Sequence, residues 1–130
     1  MDATLTIDAG RKIGELRPLH GIDNGPVCFG AKIDSTPLYR AAGFPFIRLH
    51  DTNFPHPREV DIPQVFPDAA ADETDPRNYV FGPTDTYLRQ CLDTGARIIY
   101  RLGTSIEHTR EKLFVHPPAD FAKWARICRN

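Results

Sequence analysis

Apolar and polar positions along the chain follow two periods. Thr4 to Ile7 alternates with period two and predicts a short N-terminal strand, closed by a turn at Ala9-Gly10. Residues 19–29 (LHGIDNGPVCF) carry a short buried-strand signal interrupted by glycine and by Asn-Gly-Pro. Phe46 to His50 and Arg97 to Leu102 are the clearest strands. Between and after them the period becomes helical. Ser35-Thr36-Pro37 predicts a helix start, with a hydroxyl N-cap and proline in the first turn, and Gly43 predicts its stop. A second helix begins near Thr84-Asp85, sets Tyr87, Leu88, Cys91 and Leu92 on one face, and ends at Gly95. A third starts at Pro117-Pro118-Ala119-Asp120 and repeats Phe121, Trp124, Ala125 and Cys128 at i, i+3, i+4 and i+7.

Strand–helix, strand–long loop–helix, strand–loop–helix is the order of an α/β fold with parallel strands. The expected architecture is a partial (β/α)8 barrel: about the first three strand–helix units, with the short N-terminal strand before them. A closed barrel needs roughly 200–250 residues, and this chain has 130. The third helix runs to Asn130 without a C-cap glycine, so the chain reads as the N-terminal portion of something longer, stopping before a fourth strand.

Composition narrows the function. A net charge of −1 gives no basic field for nucleic acid or an anionic membrane surface, and no apolar run is long enough to span a bilayer. Cys28, Cys91 and Cys128 are odd in number and far apart, which argues against a disulfide framework and against structural zinc. Without an apolar leader, a cytoplasmic location is expected. Neither GxGxxG nor GxxxxGK[ST] is present, so no nucleotide cofactor is expected. Seven of the twelve prolines fall between Phe44 and Pro83, interleaved with apolar residues, which points to a long but fixed loop.

Candidate chemistry gathers where the strands end. Alternation puts Phe46, Arg48 and His50 on one face of their strand and Ile47 and Leu49 on the other. Ile99 and Arg101 likewise share a face opposite Ile98, Tyr100 and Leu102. The apolar faces should pack on helices and the arginine faces should line a barrel interior, where an arginine needs a carboxylate or a sugar hydroxyl. Exposure of both arginines on an edge is the alternative. Polar residues follow each strand: His20, Asp23 and Asn24; then His50, Asp51 and Asn53; then Thr104, Ser105, Glu107 and His108. Ligands in parallel α/β folds bind at such ends. His50 is the candidate site histidine, whereas His56 and His116, flanked by prolines, read as loop-packing residues. Asp51 and Glu107 suit either a glycosidase carboxylate pair or ion pairs with Arg48 or Arg101, and the second reading is preferred. Neither HxH nor HExxH occurs, so no metal site is expected.

The segments RPLHGIDNGPV, AGFPFIRLHDTNFPHPREVDIPQVFPD, YVFGPTDTYLRQCLDTGARIIYRLG and FVHPPADFAKWARIC together resemble the N-terminal catalytic region of glycoside hydrolase family 39, the β-xylosidases and α-L-iduronidases. The resemblance covers residues 14–130, with residues 1–13 as an N-terminal extension. It implies a retaining glycosidase of barrel fold acting on a xyloside-like carbohydrate. Its acid/base glutamate would lie in an Asn-Glu-Pro motif after the fourth strand and its nucleophilic glutamate after the seventh. This chain has no Asn-Glu-Pro, so no catalytic residue is assigned within it, and alone it is expected to be inactive. The family's Arg-x-His pattern is matched by Arg48 and His50, the histidine lining the sugar subsite. Asp51 falls where the family varies, and Glu107 is implied as a pocket-rim residue. A metal-dependent barrel enzyme and a non-catalytic sugar-binding fragment are the alternatives.

Overall fold

The structure is a computed structural model that describes residues 3–112 and 114–130. Three strands, β1 (Ile22–Asp23), β4 (Phe46–Leu49) and β5 (Arg97–Tyr100), form a parallel sheet in the order β1-β4-β5. A small antiparallel ribbon, β2 (Cys28–Phe29) with β3 (Ile33–Asp34), follows β1. Helix α1 (Thr36–Ala42) joins this ribbon to β4. A long connection containing α2 (Ile62–Val65) and a 3₁₀ turn (Pro76–Asn78) then leads to α3 (Gly82–Leu92), β5 and finally α4 (Phe121–Ile127). The parallel α/β order expected from the periodicity is therefore present.

The register explains the two faces. Ile22 pairs with Ile47 and Ile47 with Ile98, while Leu49 pairs with Tyr100. These residues form the helix-facing surface, where Ile47 and Leu49 are fully buried with Val60, Tyr87, Cys91 and Ala96. The other face carries Asp23 beside Arg48 and Arg48 beside Ile99. On that face the Arg97 guanidinium lies 4.5 Å from the Phe46 ring centroid.

Several local expectations need correction. Thr4–Ile7 forms no strand, because no described residue supplies it with a ladder. Leu5, Ile7, Ile13, Leu16 and Leu19 are 79–94% exposed. Ser35 precedes α1 but does not cap it. Its hydroxyl bonds to Val27, and the Asp34 carboxylate instead accepts from the Thr36 N–H at 2.9 Å. Gly43 does close α1, in the left-handed conformation at φ 65°. Leu92 leaves the buried face of α3 and is exposed, as is Phe121 of α4, whose buried residue is Ile127. Polar ties hold α4 to the long connection: Arg126 and Lys123 both reach Glu73, and Asp120 caps the helix through the Lys123 N–H. Among the described residues, no helix is long and apolar enough to cross a membrane.

Candidate functional site

The parallel sheet brings the carboxyl ends of β1, β4 and β5 side by side, and β1 and β4 each end by turning away from extended geometry. Asn24 (φ 63°) and Asp51 (φ 46°) both adopt the left-handed conformation, which asparagine and aspartate tolerate better than other side chains. Asn24 also stitches the strand ends together. Its N–H donates to the Arg48 carbonyl at 2.8 Å, and its Oδ1 accepts from the His50 N–H at 3.3 Å.

These turns assemble a row of charged side chains across the three strands. Arg101 donates to Asp51 Oδ1 at 3.3 Å, and His50 Nδ1 donates to Asp51 Oδ2 at 2.7 Å. On the other side of the ring, His50 Nε2 lies 3.3 Å from Asp23 Oδ2, and Asp23 Oδ1 lies 3.6 Å from Arg48. The order Arg101–Asp51–His50–Asp23–Arg48 alternates cation and anion around a central imidazole. The Nε2–Asp23 approach is out of line for a hydrogen bond, so Nε2 is buried without a hydrogen-bond partner, as are Arg101 Nε and Thr52 Oγ1. The hydrogen bond from His50, with help from the Ile106 N–H and the Arg101 charge, holds the Asp51 carboxyl below its usual range despite the opposing effect of burial.

Three of the four sequence-derived site residues, Arg48, His50 and Asp51, therefore meet. Asp51 forms its ion pair with Arg101, and Arg48 takes Asp23 instead. The arginine face is expected to line a barrel interior, with edge exposure as the alternative; in this chain the Arg48 side chain is 46% exposed and its Asp23 partner 63% exposed. Glu107 lies on the loop after β5, where its carboxylate accepts from the Phe114 N–H at 3.1 Å. His56 packs in its loop as expected. It is buried, stacks on Tyr87 at 4.4 Å, and bonds to Glu59 and Gln90.

A second polar cluster escaped the reading of the sequence. Asp61, 1% exposed, accepts from Arg58 at 2.9 Å, from Ser105 at 2.8 Å and from Thr104 at 3.2 Å. It pins the proline-rich connection to the loop that follows β5. Only the i, i+3 spacing of Arg58 and Asp61 hinted at the pair, and their meeting with residues 104 and 105 is purely tertiary. Among the described residues, no group of three or more His, Cys, Asp or Glu side chains is placed to hold a metal ion. Two cavities of about 680 and 670 Å³ lie beside α4, and neither is lined by His50, Asp51 or Asp23.

No protein-family model matches the chain, and no curated protein matches it. Among solved structures it is similar to a glucosidase from Croceicoccus marinus, with a TM-score of 0.68 and 27% sequence identity. The match covers 93% of this chain and 25% of that one, so the chain spans a quarter of the glucosidase it resembles. The parallel sheet with its strand-end cluster is thus a glycosidase-like fold.

Proposed function

We propose that this chain forms one wall of the sugar subsite of a retaining glycoside hydrolase, of the β-xylosidase-like family 39 type. The observation that carries this reading is the gathering of Asp23, Arg48, His50, Asp51 and Arg101 at the ends of three parallel strands in a glycosidase-like fold. Imidazole, guanidinium and carboxylate groups that converge at a strand end suit a polyhydroxylated ligand, whose hydroxyls both donate and accept. Arg48 and His50 face the sugar, and Glu107 stands on the rim. In this reading the acid/base and nucleophile carboxylates, about 5 Å apart in a retaining enzyme, follow further strands of a barrel. The residues here bind and orient the glycone, and the 130 residues alone are inactive. A reducing, cytoplasmic location accords with three free cysteines.

The test is hydrolysis of aryl xylosides and aryl glucosides by the protein carrying this chain in its natural context, with the anomer of the first product followed by NMR. Retention of configuration is expected. His50→Ala should lower kcat/KM by about tenfold or more, the worth of one hydrogen bond to substrate, while costing only about 1 kcal/mol of stability through the lost bond to Asp51. Absence of hydrolysis across the panel, or full activity in His50→Ala, overturns the reading.

A further inference from the structure

Asp51 is engaged on both carboxylate oxygens by groups of this chain. Oδ1 accepts from the Ile106 N–H at 2.7 Å and from Arg101 at 3.3 Å, and Oδ2 accepts from His50 Nδ1 at 2.7 Å. These donors come from the exit of β4 and from the segment after β5, so one side chain ties two strand ends together. The residue also holds the left-handed turn at φ 46° that ends β4. A carboxylate committed to three donors has little left to offer a sugar hydroxyl.

His50 presents the complementary picture. Its ring makes one well-formed hydrogen bond, through Nδ1, whereas its buried Nε2 lies 3.3 Å from Asp23 Oδ2 without forming one. An ionised carboxylate only accepts, and Asp51 is the carboxylate that lies in line with a ring nitrogen at hydrogen-bond distance, so Nδ1 carries the proton. We propose that Asp51 is a positioning residue that fixes the His50 proton on Nδ1 and so sets the orientation of the imidazole at the strand ends where the sugar would bind. The part of this assignment that involves sugar rests on the glycosidase reading above. The tautomer itself is a property of the strand ends and is measurable without any substrate.

Asp51→Asn isolates the effect. Asparagine tolerates the left-handed turn, and its oxygen still accepts from Ile106 and Arg101. Its NH₂ group then faces His50 Nδ1, which must become the acceptor, moving the proton to Nε2. Two-bond ¹H–¹⁵N spectra of ¹⁵N-histidine-labelled protein, with His50 assigned through its loss in His50→Gln, read the tautomer of the neutral ring directly. Wild type should carry the proton on Nδ1 and Asp51→Asn on Nε2. Arg101→Lys, which loosens the same loop but leaves the carboxylate beside the ring, should keep Nδ1 protonated. A wild-type ring protonated on Nε2, or a tautomer unchanged in Asp51→Asn, overturns the assignment. In kinetics on the best-hydrolysed glycoside, Asp51→Asn should raise KM by about fivefold or more in wild type, yet change it less than about twofold in a His50→Ala background. An equal loss in both backgrounds would mean that Asp51 acts on its own, which also overturns the assignment. If no glycoside is hydrolysed, the glycosidase reading falls, and the spectra still decide whether Asp51 sets the tautomer.

Discussion

Gly25, directly after the Asp23-Asn24 strand end, has no room for a side chain. A Cβ built there would lie 2.3 Å from Cys91 Sγ, 3.1 Å from Tyr87 Cε2 and 3.3 Å from the Tyr87 hydroxyl. Cys91 and Tyr87 belong to the buried core under the sheet, so neither can retreat into solvent. A carbon–sulfur contact needs about 3.5 Å, so Gly25→Ala forces α3 or residues 24–26 to move by about 1.2 Å. Overpacking of this kind costs about 1–3 kcal/mol. The shift also strains the bond from the Gly25 N–H to the Tyr87 hydroxyl, 2.7 Å long, which contributes about 1 kcal/mol. The reduced freedom of the unfolded chain gives back about 0.4–1 kcal/mol. The net expectation is a loss of about 1–3 kcal/mol. With an unfolding entropy of about 2.1 cal/mol/K per residue, this lowers the melting temperature by about 4–11 °C. Calorimetry or far-ultraviolet circular dichroism would measure it, with Cys91→Ala as the second arm. Removing the sulfur makes space for the new methyl, so the double variant should be more stable than the sum of the single changes by at least about 0.5 kcal/mol. A Gly25→Ala protein that melts with wild type, or single effects that simply add, would refute the claim that the β1 end is packed directly on α3.

Other outcomes follow from the same geometry. Arg48→Ala should cost no more than about 1 kcal/mol in urea unfolding, because both members of its pair with Asp23 are largely exposed; a loss above about 3 kcal/mol would mean that the pair is buried in the folded protein. Asp61→Ala, by contrast, leaves Thr104, the buried Ser105 and the part-exposed Arg58 without their acceptor and should cost about 1–3 kcal/mol by the same assay, with no measurable loss refuting the anchor. The Asp51 carboxyl is held below its unfolded value, so its contribution is present above the usual carboxylate range, near pH 4, and is lost as pH falls through the depressed value. The urea midpoint should therefore fall more steeply below about pH 4 in wild type than in Asp51→Asn, and parallel curves would show that Asp51 contributes nothing to acid stability.

What the sequence determined by itself was whatever depends on neighbours along the chain. Period-two alternation in Phe46–Leu49 and Arg97–Tyr100 set which residues face the helices, because successive side chains on a strand point oppositely whatever lies beside it. The pause at Gly43 was legible for the same reason, since a left-handed closing residue after a helix is a local demand. The alternation at Thr4–Ile7 shows the limit of such reasoning. The pattern supplies a face but not a partner, and without a ladder the segment forms no strand and stays exposed. The clustering of polar residues after the strands was likewise visible in the sequence, but its wiring was not. Which carboxylate meets which cation depended on the register of β1 against β4 and on the path of the loop after β5, so Arg48 took Asp23 and Asp51 took Arg101. Asp61 is the extreme case. Its three partners lie at positions 58, 104 and 105, and no local pattern links two segments more than forty residues apart in the chain. Backbone geometry and apolar facing are short-range consequences of covalent structure. Long-range electrostatic partners such as Asp61 with Thr104 and Ser105 form only when tertiary packing brings distant groups together, and where that place is dry, leaving them unpaired is costly.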